Sequence, residues 1–326
     1  MRLEIFRCKV RILFGVTMLG FLFGKPVSAE KVLPEPFGRI YLIYYQGNIG
    51  RQLNNDFYFK TIEIGLKGAL LDYLTYRAQI KLDNKTFKFQ PLDAYFDIQI
   101  FHFIRLRIGQ FKPPFAMERL IPSPEQDFVA TAMATKLLPE RDIGIALFGE
   151  TNKIEFNIGV LNGAGFNKAE DNSKKDLVGR VLFKIIKNIR MGGAVYLGWQ
   201  GPDTNIIKKQ CSNLQAEIKY PKFHARSEYT HIKENKKANT DAFYVQTGYK
   251  FTIPNNYLKK LEPVIRCEQL NSKKENGLEK LTVISLGFNF YFYEHKFKCQ
   301  INYNLKMDKI SGQKFNEFYI GLQIAF

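Results

Sequence analysis

The chain has one tryptophan, four cysteines and four histidines in 326 residues. So few cysteines exclude a disulfide-built mini-protein, and His102, His224, His231 and His295 are scattered, with no nucleophile motif or metal-ligand spacing near them. Neither catalysis, nor a cofactor, nor a metal is expected. Beyond residue 30 no apolar run is long enough to cross a bilayer as a helix. Acids are also scarce, 31 against 48 Lys plus Arg, which leaves a formal charge of +17. Such a surplus suits nucleic acid, an anionic surface or an anionic solute, and the placement of the charges decides among them.

Residues 1–29 read as a secretory signal peptide. Arg2, Arg7, Lys9 and Arg11 precede the apolar run from Ile12 to Gly24, and Val27-Ser28-Ala29 offers small residues for cleavage. A run of about 13 residues falls short of the roughly 20 that a spanning helix needs. Removing this segment leaves the positive surplus in place. Cys211, Cys267 and Cys299 remain, an odd number without short spacing, and read as small apolar residues. Residues 30–326 then form one domain.

Periodicity gives that domain its class. Phe318, Ile320, Leu322, Ile324 and Phe326 share one parity, whereas Glu317, Tyr319, Gly321, Gln323 and Ala325 share the other. Phe297, Cys299, Ile301, Tyr303 and Leu305 likewise oppose Lys296, Lys298, Gln300, Asn302 and Asn304. Upstream, Leu74, Tyr76, Ala78, Ile80 and Leu82 oppose Arg77, Gln79 and Lys81, and Val181, Phe183 and Ile185 oppose Arg180 and Lys184. A period of two marks strands with one apolar and one polar face. If the protein lies in a membrane, only a closed barrel can satisfy its backbone groups there.

Connection lengths favour that reading. About sixteen strands can be counted; the first, ninth and eleventh alternate weakly, which leaves fourteen as the alternative. Brief joins such as Leu71-Asp72, Phe101-His102, Thr151-Asn152 and Pro221-Lys222 alternate with longer polar stretches near 47–57, 83–90, 111–140, 162–176, 201–209, 233–241, 271–280 and 306–315. Short turns on one side and long loops on the other mark a bacterial outer-membrane barrel. Lys60 falls on the apolar parity of its strand and is expected near a strand end, where it can snorkel. Tyr44, Tyr58, Tyr220, Tyr229 and Phe318 suit an aromatic girdle, although tyrosine favours strands in any case.

The run Gly109-Gln110-Phe111-Lys112-Pro113-Pro114-Phe115-Ala116-Met117-Glu118-Arg119-Leu120 closely resembles the start of the constriction loop in the phosphate-selective porin O and P family. Arg141-Asp142-Ile143-Gly144-Ile145 and Gly159 to Gly165 resemble that family's following strands, and the terminal Phe326 resembles an outer-membrane sorting signal. The resemblance implies an antiparallel up-and-down transmembrane β-barrel of sixteen strands, assembled as a homotrimer, with its third loop folded into the lumen. Relatives usually carry an acid-Arg pair after the loop phenylalanine, where this chain has Phe128-Val129-Ala130-Thr131.

On that architecture Arg105, Arg107, Lys112, Arg119, Lys136 and Arg141 lie on or beside the loop, with Arg77, Arg180 and Lys184 on nearby lumen faces. A cationic ring selects anions by replacing part of their hydration shell. The bland alternative pairs these cations with Glu63, Asp97, Glu155, Glu217, Glu228, Glu262 and Glu268. The expected function is passive diffusion of small anions. A weakly selective pore, or a non-conducting barrel that adheres through its outer loops, is the alternative. The expected partners are outer-membrane lipid, small anions, further copies of this chain and the barrel-assembly machinery, reached through Phe326. Nucleic acid is not among them, because the basic residues lie on the face opposite the aromatic ones.

Overall fold

The computed structural model describes residues 33–49, 52–83, 86–137, 139–235, 239–274 and 277–326, so the expected signal peptide lies outside the described residues. The strands are β1 (Glu35–Ile49), β2 (Gln52–Leu71), β3 (Leu74–Leu82), β4 (Phe89–Phe101), β5 (Ile104–Phe111), β6 (Asp142–Glu150), β7 (Ile154–Leu161), β8 (Asp176–Ile186) and β9 (Ile189–Gln200). They continue as β10 (Ile207–Lys219), β11 (Phe223–Glu234), β12 (Thr240–Tyr249), β13 (Phe251–Thr252), β14 (Lys260–Lys274), β15 (Gly277–Tyr293), β16 (Phe297–Asp308) and β17 (Lys314–Ala325). β12 and β13 both pair with β14 and are two parts of one stave, so the barrel has sixteen. Neighbours pair antiparallel, and β1 also pairs with β17 from Arg39↔Ala325 to Gly47↔Glu317, which closes the sheet.

The polarity is the reverse of a soluble protein's. Leu214 is 65% exposed, Val195 57% and Ile324 52%, whereas Arg266, Lys298, Gln300 and Asn302 on the opposite parity are at most 1% exposed. Water-soluble folds hide the first group and expose the second. The outside is therefore an apolar band suited to lipid, and the polar side chains converge on the lumen. At the closure, Gly38 and Phe326 exchange two backbone hydrogen bonds of 3.1 Å. The Phe326 ring lies where a side chain at position 38 would stand, 2.5 Å from a Cβ placed there, so only glycine fits.

Three expectations are corrected. Lys60 is not near a strand end. The β1–β2 register slips between Tyr41↔Thr61 and Leu42↔Phe59, which leaves Lys60 as the extra residue of a β-bulge that reverses the strand's parity. Its ammonium consequently turns inward and donates to the Val129 carbonyl. Tyr58 also faces inward, packing with Tyr45 and Tyr319 against Tyr41, Ile43 and Val129. Finally, residues 47–49 and 52–57, and 271–274 and 277–280, are strand rather than loop: β1 and β2 pair out to Ile49↔Gln52, and β14 and β15 out to Lys274↔Gly277. These strand ends read as loops because Asn48, Asn54, Asn55 and Asp56, and likewise Asn271 to Lys274 with Glu279 and Lys280, interrupt the apolar alternation.

Candidate functional site

Pro113 and Pro114 have no N–H to give the ladder, so β5 stops at Phe111 and the chain leaves the wall. The next 30 residues, up to Arg141, include helical turns at Met117–Leu120 and Met133–Lys136. This connection folds into the lumen and is fastened to the far wall. Glu228 of β11 accepts from the backbone N–H groups of Met117 and Glu118, both at 2.8 Å. Asn302 of β16 accepts from Val129 N–H at 2.8 Å, and Glu268 of β14 from Met133 N–H at 2.6 Å. Lys298 donates to the Gln126 carbonyl at 2.8 Å, Lys209 to that of Leu137 at 2.7 Å, and Arg266 to that of Ala130 at 2.8 Å. Hydrogen bonds to charged groups contribute about 1.5–3 kcal/mol each, so this set holds the loop firmly against β10–β16.

Two loop carboxylates complete the anchor. Asp127 takes bonds from Arg226 at 2.8 Å and Gln246 at 2.8 Å, and lies 2.9 Å from His224 Nε2. Burial alone would raise its pKa, but His224, Arg226 and Lys298 hold it well below the usual carboxylate range. Glu118 meets Arg266 at 3.0 Å and accepts from Ala132 N–H, yet burial pushes its carboxyl up to about 7. Where relatives are expected to carry an acid-Arg pair within the loop, the guanidinium here belongs to the wall: Arg266 lies over the Phe128 ring at 4.5 Å. Asp127, His224 and Glu262 also stand close enough to suggest a metal cluster. However, the imidazole meets Asp127 through Nε2 and Glu262 through Nδ1 at 3.5 Å. The imidazole is therefore hydrogen-bonded to Asp127 and has Glu262 at ion-pair distance on its other side.

Fixing the loop to one wall leaves space against the other. A cavity of about 430 Å³ lies between the loop and β1–β4, and a second of about 400 Å³ lies toward the short turns, beside the closure at Phe37 and Phe326. Arg39, Glu63, Lys112, Ser123 and Arg141 line both and form the neck between them. The first cavity adds Lys60, Lys81, Arg119 and Lys136 against Glu140. The second adds Lys67, Arg77 and Arg107 against Asp93. Ten cations thus line the two cavities, and five of them are ion-paired: Arg39 with Glu63 at 3.1 Å, Lys67 with Glu35 at 2.9 Å, Arg77 with Asp93 at 3.3 Å, Arg107 with Asp97 at 2.7 Å and Arg141 with Asp93 at 2.7 Å. Lys112 donates to the Arg119 carbonyl at 2.8 Å, and burial, reinforced by the Arg141 charge, lowers its pKa to about 8.

Of the nine side chains that the sequence singles out, six meet along this route: Arg77, Arg107, Lys112, Arg119, Lys136 and Arg141. Not all of them carry free charge. Arg107 forms a two-pronged pair with Asp97, both bonds 2.7 Å, and Arg141 meets Asp93 at 2.7 Å. The other three lie elsewhere. Arg105 lines a small recess beside His102 near the short turns, Arg180 is buried against Glu155 and Gln215, and Lys184 pairs with Glu150 at 2.6 Å. Lys184 borders a separate cavity of about 560 Å³ beneath the loop, lined by both signs of charge. Sequence reasoning missed Arg39, Lys60 and Lys67 and left Lys81 unassigned. Arg39 was legible in principle, because it shares parity with Tyr41 and Ile43 on a strand whose two faces are both apolar further along.

Residues 41–187 match the family model described as phosphate-selective porin O and P. A search of curated proteins by sequence found no match. Among solved structures, an anion-selective porin from Comamonas acidovorans superposes with a TM-score of 0.70 at 11% identity, covering 91% of this chain and 100% of that one. OmpF of Salmonella typhi gives 0.70 at 11% identity, with 90% and 97% covered. The trimer form of OmpT from Vibrio cholerae gives 0.65 at 11% identity, with 90% and 99% covered. At such identities the likeness speaks for the fold, while the family match spans β1 to β8 and with them the constriction loop. Residues 41–187 therefore carry the pattern of the phosphate-selective porin O and P family, and the sixteen-stave barrel they open is that of a bacterial outer-membrane porin.

Proposed function

We propose that the protein passes small anions passively across the outer membrane, along the route between the constriction loop and the β1–β6 wall. One observation carries the reading: of the ten cations on that route, five (Lys60, Lys81, Lys112, Arg119 and Lys136) have no carboxylate at ion-pair distance among the described residues, whereas Arg190, Arg226 and Arg266 on the opposite wall are all ion-paired. Arg39, Lys112 and Arg141 form the selecting neck. Because Arg39 is paired with Glu63 and Arg141 with Asp93, Lys112 supplies most of the net charge, and each net cation about 6 Å from a monovalent anion in a water-like medium contributes about 0.7 kcal/mol, roughly a threefold enrichment that salt reduces. Attraction of that size concentrates an anion without trapping it. The chain acts as a channel rather than an enzyme and assembles as a homotrimer, consistent with the trimeric form of the Vibrio cholerae neighbour. Export depends on residues 1–29, and Phe326 presents the C-terminal strand to the assembly machinery.

Single-channel recording in planar bilayers tests the proposal. A reversal potential of anion-selective sign in a potassium chloride gradient is expected. Cation selectivity would remove the neck assignment, and absence of conductance would favour an adhesive or structural barrel.

A further inference from the structure

The connection between β7 and β8, residues 162–175, does not stay above its own strands. Asn167 lies against β5: its backbone N–H donates to the Gln110 side-chain oxygen at 3.2 Å, and its own side-chain oxygen accepts from Gln110 Nε2 at 2.9 Å. The residue before it reaches further still, and the Phe166 ring centre stands 5.4 Å from the Lys81 ammonium on β3. From β7 to β3 is four strand steps of about 4.8 Å, about 19 Å along the wall. A contact between staves that far apart on a closed barrel is a chord across its mouth. The connection therefore roofs the sector from β3 to β7 on the side of the long connections.

The roof is built in. β4 continues to Phe89, but its pairing with β5 ends at Ala94↔Gln110, because β5 leaves the wall at Phe111. In the gap the buried Gln110 carboxamide replaces the missing strand, donating to the Leu92 carbonyl at 2.6 Å and the Pro91 carbonyl at 3.3 Å. One side chain thus ties β4 to the connection. Gly163 and Gly165, with φ of +91° and +84°, and Asn167, with φ of +54°, supply the left-handed bends that carry Phe166 inward. A side chain at position 163 would stand 2.6 Å from the Asp176 carboxylate. Both ends are held: Asp142 accepts from Gly163 N–H at 2.7 Å, and Asn172 donates to the Trp199 and Gly201 carbonyls at 3.0 and 3.1 Å. Lys81 is where this roof meets the ion route, since it lines the 430 Å³ cavity together with Lys60, Arg119 and Lys136.

We propose that Phe166, latched by Gln110 and Asn167, sets the size of the anions admitted from outside, so that compact anions pass and bulky organic anions are held back. The proposal rests on the anion-channel reading, in which the long connections face outward and this cavity is the entrance. A pore selects by its width as well as by its charge. A ring fixed beside the first free cation leaves a compact anion room to reach Lys81, whereas a bulky one meets the ring and the roof behind it.

The test is the zero-current potential of the full protein in planar bilayers with potassium chloride on one side and potassium gluconate on the other. The wild type should favour chloride by more than the ratio of the two free mobilities. Phe166→Ala should raise the gluconate-to-chloride permeability ratio at least about twofold while staying anion-selective against potassium, which also shows that it folds. Phe166→Tyr should keep the wild-type ratio, and Asn167→Ala, which frees the latch, should shift it in the same direction as Phe166→Ala by a smaller amount. Ile310→Ala, at a 52% exposed position in the β16–β17 connection, is the control and should change nothing. A wild-type ratio equal to that of the free mobilities, or an unchanged ratio in Phe166→Ala, would overturn the proposal. So would an equal rise in Ile310→Ala, because the effect would then be a general loosening of the outer mouth. Failure of the anion-channel reading would appear separately, as absent conductance or cation selectivity of the wild type in a potassium chloride gradient.

Discussion

Along the wall to which the loop is fastened, the inward guanidinium groups near the anchor are each bridged by two carboxylates, with Glu217 shared. Arg190 meets Glu155 and Glu217, Arg226 meets Glu217 and Asp127, and Arg266 meets Glu118 and Glu268. Along the facing wall, Lys60, Lys81, Lys112, Arg119 and Lys136 reach backbone carbonyls, rings or open space, and the few acids there are shared. The same residue types therefore serve two purposes. Where a guanidinium is enclosed by the loop, desolvation is tolerable only if an opposite charge lies within bonding distance. Where the wall borders the cavities, the unpaired ammonium groups of Lys81 and Lys136 keep access to solvent and their field reaches a passing ion, whereas Lys112 is partly desolvated.

The contrast can be broken most forcefully on the compensated wall. Replacing Arg226 with Met takes one ionic partner from each of the buried Asp127 and Glu217, which keep His224 with Gln246, and Arg190, respectively, and is expected to cost about 1.5–3 kcal/mol. The readout is the temperature at which the folded barrel loses its fast mobility in a detergent gel, and adding Asp127→Asn should restore part of the loss. On the facing wall, K81Q/K112Q/K136Q should leave that temperature nearly unchanged. Its anion-to-cation permeability ratio, taken from zero-current potentials at low salt, should fall about tenfold. A variant that lost stability and kept its selectivity would reverse the roles assigned to the two walls.

A smaller effect sharpens the role of the neck. Lys112, with its pKa lowered to about 8, is largely charged at pH 7 and largely neutral at pH 9. Raising the pH across that interval should therefore reduce the permeability ratio about twofold. Lys112→Arg should flatten this dependence, because a guanidinium keeps its charge there. If the dependence survived in Lys112→Arg, another group would be titrating. The smallest change is expected for Arg105→Gln. That side chain is half-exposed, 3.8 Å from Asp97 and outside the two cavities, so the ratio should shift by no more than about 1.5-fold.

Legibility in the sequence followed the physics of the two solvents. Strands such as β16 alternate cleanly because one face meets lipid and the other meets polar lumen, as Cys299, Ile301 and Tyr303 against Lys298, Gln300 and Asn302 show. β1 alternates poorly because its inward Tyr41 and Ile43 pack under Val129 of the loop. β9 does so for a like reason, since inward Tyr196 packs edge-on against Phe115 of the loop, with ring centres 6.3 Å apart. Lys60 was misplaced because a bulge changes parity without changing composition.

The sequence alone determined the class of wall: a period of two, a polar parity free of lipid contact, and alternating connection lengths suffice, because each residue's facing follows from its neighbours two positions away. Only the tertiary structure decided which cations are free. Whether Arg107 or Lys112 presents charge to an ion depends on Asp97 across the sheet and on a loop that crosses the lumen. Those distances arise from closure of the barrel, between residues far apart in the chain.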